Sequence, residues 1–437
     1  METTTAPRDD RDRFGGSTTS AARDKKEPVM DGIGIIGSGI AGLQLGLQLR
    51  QHDVPVTIYS DRPADDFGRG RLPNTVAHHH TTVARERELG IDHWDIDEYG
   101  YFGHHHYIGG ETPLRFFGEF TAPSRALDYR VYLPRLLRDF VERGGDFEVR
   151  PVEPADVAAL SEQHDLVVVS SGRTGLGGIF PRRADKSPFD TPQRKLCAAL
   201  YEGIAYSEPK GVTMSIAPGH GELLEIPMFS VAGHVTALLF EIVPGGDLEP
   251  IGEARYDEDP AGFEKLVLGK LRQHHPTTFE RIDHARFRVT GPQDLLQGGL
   301  VPGVREDYVR LANGRYVIAL GDAHTVVDPI VGQGANCASY SAWELGQAIV
   351  TDPNFDERFC RKVAQRRENR VHATSDWTNL MVRFPPAPHL LQLLGSMAGN
   401  QAIADEFTDN FSYPERQWDI LATPERTRNY LARHGMA

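Results

Sequence analysis

Residues 33–60 confine this chain more tightly than any other stretch. IGII is a short apolar run, GSGIAG a turn, IAGLQLGLQLRQ a segment with helical apolar spacing, and VTIYS a second apolar run. Strand, glycine turn, helix and strand in one unit is the context in which G-x-G-x-x-G becomes a dinucleotide fingerprint. Gly37 permits the tight turn, Gly39 lets a pyrophosphate approach the backbone, and Gly42 lets helix pack on strand. The phosphates then meet free N–H groups around Ser38, Ile40 and Ala41 at the helix N-terminus. In the simplest register the second strand ends at Ser60, where an acid would hold the ribose hydroxyls. Asp61 is the candidate for that role, and an exposed turn acid beside Arg62 is the alternative.

A second glycine-rich turn lies almost a whole chain away. RYVIALGD (315–322) is a buried-strand pattern ending in an acid, and AHTVVDPIVGQGAN follows it to residue 336. Asp322 can accept a hydrogen bond from a ribityl hydroxyl. Gly332, Gln333, Gly334, Ala335 and Asn336 open a helix whose N–H groups suit a flavin N1–C2=O edge, where negative charge gathers on reduction. FAD is long enough to span both turns. GDAH…DP…GQGAN resembles the set found in the glutathione reductase-type FAD fold of aromatic hydroxylases.

Between the turns the texture changes. ALDYRVYLPRLLRDFVERGG (126–145) has amphipathic helical spacing, and DLVVVSSG (165–172) reads as a buried parallel strand. GVTMSIAPG, ELLEIPMFS and HVTALLFEIVP alternate as antiparallel strands do. The predicted fold is α/β: a discontinuous FAD-binding domain (30–72, 127–175 and 310–350), an inserted antiparallel-sheet substrate domain (73–126 and 176–309), and a helical region over 351–437. Residues 1–29 are expected to be a disordered tail. A net charge of −14 argues against nucleic acid or an anionic membrane as partner. No apolar run suggests a membrane span, and three scattered cysteines suit a reducing cytoplasm.

Further segments resemble one family: the oxygenase component of two-component styrene monooxygenases, with the related indole monooxygenases. They are RLPNTVAH (71–78), YGYFGHHHYIGG (99–110), APSRALDYRVYLP (122–134), APGHGELLEIP (217–227), LLQGGLVP (295–302) and FTDNFSYPERQWD (407–419). The resemblance implies a transient NADH-dependent reductase that supplies diffusible reduced FAD. With O2 this gives a flavin C4a-(hydro)peroxide that epoxidises an aromatic alkene, styrene, to the (S)-oxide. It also implies Asn74 and Arg71 near the reacting flavin, and Val76, His104, Ser124, Pro329 and Val331 around the substrate. Asn74, Val76, His104 and Ser124 follow the styrene rather than the indole branch. Val76 is apolar where the indole branch tends to carry a glutamine.

A one-component NAD(P)H-dependent hydroxylase is the first rival. Such relatives carry Asp-Gly after the strand that here ends in Ser171-Gly172. A non-catalytic FAD-fold binder is the second. A halogenase lacks support because its Trp-x-Trp-x-Ile-Pro run is missing. The triplets His78–His80 and His104–His106 lack companion ligands at zinc spacing, so no metal is expected. His324 is expected to be a turn residue and Cys337 a packed thiol. A homodimer is compatible with the sequence.

Overall fold

The computed structural model describes residues 32–172 and 175–436. The expected N-terminal tail lies outside the described residues.

Six strands form the nucleotide-type sheet. In spatial order they are Tyr308–Arg310, Tyr316–Ala319, Leu166–Val169, Ile33–Ile36, Val56–Ser60 and Asp146–Val149. All neighbours run parallel except the first pair, which is an antiparallel hairpin. Strands covered on both faces need apolar side chains throughout. IGII and LVVV are accordingly buried at every position. The amphipathic helix spans Tyr129–Glu142, where the Asp128 side chain caps the Arg130 N–H at 2.8 Å. Gly144, at φ +77°, turns the chain out of it.

The second sheet has nine strands and is antiparallel, as expected, except along one seam. There Gly100–Ile108 runs parallel to Val212–Ala217, with His104 beside Val212. The two strands come from separate insertions into the nucleotide unit, so no short hairpin can join them. The 15-residue helix Pro260–His274 packs on this sheet through Phe263, Val267 and Leu271. The alternating texture of the neighbouring strands does not announce it. After residue 351 the chain is helical: Glu357–Met381, Pro388–Met397, Gln401–Asp409, Pro414–Leu421 and Pro424–Arg433. Among the described residues no helix is long and apolar enough to cross a membrane.

A buried polar hub joins the two sheets. Glu86, on the helix His80–Glu88, is fully buried. It pairs with His78 Nδ1 at 2.7 Å, accepts from the Tyr132 hydroxyl at 2.6 Å and takes a charge-assisted bond from the equally buried Arg125. Tyr132 also accepts from Gln44, on the glycine-loop helix, at 2.9 Å. Burial alone would raise the Glu86 carboxyl, but His78, Arg125 and Tyr132 together hold it at about 2. Glu86→Ala is expected to destabilise the protein by about 3–5 kcal/mol at pH 7, because it takes the buried partner from His78 and Tyr132 and leaves the Arg125 charge to Asp92. Chemical denaturation measures this. A depressed carboxyl contributes stability above its unfolded value near 4.5 and loses it as pH falls toward 2. The deficit of the variant should therefore shrink across that window.

Candidate active site

Four neighbouring strands turn at one end of the sheet, and three of those turns carry predicted cofactor residues. The turns are Gly37–Gly42, Ser60–Asp61, Ser170–Gly172 and Gly321–Asp322. Ligands of open α/β sheets sit in this crevice.

The three fingerprint glycines meet three different constraints. Gly37 has φ +116°, and a Cβ there would lie 2.6 Å from the Ser171 nitrogen. A Cβ on Gly42 would lie 2.1 Å from the Gly37 carbonyl oxygen. At Gly39 a Cβ would meet nothing within 4 Å. Close packing explains the outer two, and open space over the helix mouth marks the middle one. The helix Ile40–Gln51 has neither a side-chain cap nor an acid in its first turn, so its first N–H groups, at Ile40, Ala41 and Gly42, remain available. Ser38 and Ser60 bond each other through their hydroxyls at 2.9 Å. Asp61 is exposed, with a single 3.9 Å approach from Arg62.

The second loop comes to the first. A Cβ on Gly321 would lie 3.3 Å from the Ala41 Cβ. Asp322 is exposed, and its charge acts on the buried Tyr129 hydroxyl. Gly332, left-handed at φ +59°, ends the turn Pro329–Val331 and opens the helix Gln333–Thr351, which again has no side-chain cap and no early acid. Gln333, Gly334 and Ala335 therefore have N–H groups without a partner four residues back. Asn336 differs from expectation. Its N–H falls within the helical ladder, and its side chain is a clamp. Oδ1 accepts from the His79 N–H at 2.9 Å and the Thr82 hydroxyl at 2.7 Å, while Nδ2 donates to Ala77 O at 2.9 Å and Gly332 O at 2.7 Å.

That clamp joins the loop to the expected substrate residues. Ala77–His78 pairs with Arg125–Ala126, and Tyr101 stands opposite Ser124 on the same sheet. Asn74 and Val76, just upstream, are half-buried, and the Asn74 Oδ1 is buried with no partner. Arg71 is exposed. His104 is buried and packs edge-on against Phe411 at 4.4 Å and Phe120 at 4.8 Å. Burial, with His106 and His79 nearby, lowers its pKa far enough to keep the ring neutral. Pro329 is half-buried, but the Val331 side chain is fully buried in the core of the C-terminal helices. Its contact with a substrate is therefore not visible in this arrangement.

Two residues went unread in the sequence. His79 packs on Phe411 at 5.7 Å, and its Nε2 lies 3.6 Å from the Cβ position of Gly332. Phe411 gives its carbonyl to Gln333 Nε2 at 2.8 Å and its ring to both His79 and His104. The signal for Phe411 was the segment FTDNFSYPERQWD that contains it. The histidines of the first triplet go to three different places: His78 to Glu86, His79 to Phe411, and His80 to Tyr413 and Ser412. Among the described residues no group of three or more His, Cys, Asp or Glu could hold a metal ion. His324 is buried against Asp307, and Cys337 is buried near Thr374 and Ser341.

Comparison with known proteins fixes the family. The chain is 49% identical over 397 residues to "Styrene monooxygenase StyA" of Pseudomonas fluorescens, covering 90% of this chain and 96% of that one. The chain belongs to the styrene monooxygenase family. A second family member, from Pseudomonas sp, matches with the same identity and coverage. Residues 172–281 match the family described as "Styrene monooxygenase A putative substrate binding domain". The chain also shares its fold with flavin-dependent enzymes far from it in sequence. The flavin-dependent brominase Bmp2 superposes with a TM-score of 0.65 at 16% identity, over 93% of this chain and 99% of its own. The p-nitrophenol 4-monooxygenase PnpA from Pseudomonas putida DLL-E4 does so with a TM-score of 0.60 at 14% identity, over 88% and 98%.

Proposed function

We propose that this chain is the oxygenase half of a two-component monooxygenase that epoxidises styrene, mainly to the (S)-oxide. Reduced FAD comes from a separate NADH-dependent reductase, O2 is co-substrate, and the cytoplasm is the site of action. The observation that carries the proposal is the convergence of the two glycine loops at one end of the nucleotide-type sheet, in a chain that is 49% identical to styrene monooxygenases.

When bound, reduced FAD supplies oxygen activation and the oxygen atom that is transferred. The chain's own residues do the remainder. N–H groups of Ile40 and Ala41 would hold the pyrophosphate near Gly39, Asp61 would take the ribose and Asp322 the ribityl chain. Gln333, Gly334 and Ala335 would offer N–H groups to the ring edge that becomes negative on reduction. The segment from Arg71 to Val76 would lie toward the ring, with the Asn74 Oδ1, which has no partner among the described residues, as a polar atom. Phe411, Phe120 and neutral His104 exclude water and orient an uncharged alkene, which needs no base to ionise it. Pro329 and Ser124 would complete the substrate side. Nucleotide and substrate modules then follow the two sheets.

Val76 decides between branches. Styrene has no N–H to pair with a buried amide, so Val76→Gln is expected to lower kcat/KM for styrene by about 1–3 kcal/mol, roughly five- to 150-fold. Rates with styrene and indole, measured side by side with one reductase at saturating oxygen, test the assignment. Styrene should be faster in the unaltered protein. Indole faster by tenfold or more would instead place the chain in the indole branch, with flavin and reductase unaffected.

A further inference from the structure

Two acidic side chains meet where the substrate sheet touches the turn that leads to Gly332. Glu241, on the strand Gly233–Ile242, is fully buried, and Asp328 is 1% exposed. Asp328 Oδ1 caps the turn Pro329–Val331 by accepting the Ile330 N–H at 3.1 Å. The two buried carboxyl groups are near enough to act on each other. Among the described residues neither oxygen of Glu241 has a hydrogen-bond donor.

The surroundings hold one cation and one further acid. Glu222 stands opposite Glu241 on the adjoining strand. Arg194, 3% exposed, is bidentate to Glu222 at 2.8 and 3.0 Å and also donates to Gln193 O and Val382 O. Four of its five N–H donors are thereby committed elsewhere. Two carboxylates cannot bond without a proton, and two buried like charges with no spare cation are strongly disfavoured. Burial, then Asp328 and Glu222, pushes the Glu241 carboxyl well above its ordinary range, and burial raises Asp328 as well.

We propose that Glu241 and Asp328 share one proton, and that this acid–acid bond is a positioning latch fixing the Pro329–Gly332 turn to the substrate sheet. The latch sets the aim of the N–H groups at Gln333, Gly334 and Ala335. For its effect on flavin it rests on the cofactor assignment above. Neither residue need touch the substrate or cofactor.

Two variants and two measurements test it, and a third variant with a titration tests the cofactor assignment. Glu241→Gln keeps a donor to Asp328 without a titrating proton, Glu241→Ala removes the donor, and Asp322→Ala serves as the flavin control. Infrared spectra should show the carbonyl stretch of a buried, protonated acid in the unaltered protein, and that band should vanish in Glu241→Gln. Without flavin, amide hydrogen exchange over residues 330–336 should quicken about tenfold in Glu241→Ala and stay within about twofold in Glu241→Gln. Peptides of the nucleotide sheet should not change. An acid band that survives Glu241→Gln, or exchange over 330–336 unchanged in Glu241→Ala, overturns the latch. If Glu241→Ala does not fold, faster local exchange in Glu241→Gln overturns it equally. Anaerobic titration with reduced FAD tests the cofactor assignment separately, because only that assignment requires weaker binding by Asp322→Ala.

Discussion

Gly39→Ala is expected to weaken FAD binding by about 1–3 kcal/mol, roughly five- to 150-fold, with no change in melting temperature. The asymmetry comes from the geometry of the turn. A methyl group on Gly39 projects into open space in the protein, so the fold has nothing to resist. That same space is where a pyrophosphate must approach the helix mouth. Gly42→Ala is the matched opposite. Its methyl would sit 2.1 Å from a backbone carbonyl, so the turn must break and the protein should melt early or fail to accumulate. Titration of each variant with reduced FAD under anaerobic conditions, alongside a thermal melt, separates the two. Equal affinity for Gly39→Ala and the unaltered protein would mean that the pyrophosphate lies elsewhere.

The second large effect is all-or-none. Without a flavin reductase, protein, FAD, NADH and styrene together should consume NADH only at the background rate and form no measurable epoxide. With the reductase added, both should appear. The motive is the turn after Leu166–Val169, where Ser171-Gly172 replaces the Asp-Gly expected of enzymes that take NAD(P)H directly. The Ser171 nitrogen instead backs the Gly37 turn, so this loop serves the inside of the fingerprint. Epoxide formed with NADH alone at a rate comparable to the coupled system would overturn the two-component mechanism. Protein that binds no flavin under any condition would instead revive a scaffold role.

What could be read in advance was local. GSGIAG and the acid-then-glycine pattern after RYVIALGD each carry their own turn chemistry within a few residues, and the structure brings both turns to the same end of the first sheet, one strand apart. Relations between distant residues of ordinary type could not be read. Glu86 sits in ARERE, which has the composition of a solvated helix face. Only the fold reveals that it is buried against Arg125, 39 residues later. Asn336 looked like a donor to the flavin because its position was known and its partners were not. His79 was masked by its neighbours: three identical residues in a row invite one explanation, yet a strand ends and a helix begins within them. The parallel seam was equally silent, because the register between separate insertions leaves no mark in either strand.

The order of strands in the first sheet also bears on how the protein is made. Leu166–Val169 must pair on one side with Ile33–Ile36 and on the other with Tyr316–Ala319. The first partner has already left the ribosome when Leu166 emerges, but the second is roughly 150 residues away. At about 5–20 residues per second, that edge waits on the order of 8–30 s with its N–H and C=O groups unpaired and apolar side chains on both faces. A nascent chain in that state is a template for its neighbours, so yield should depend on translation speed, growth temperature and chaperone supply more than on the stability of the finished fold. Truncations that end before Tyr316 should aggregate.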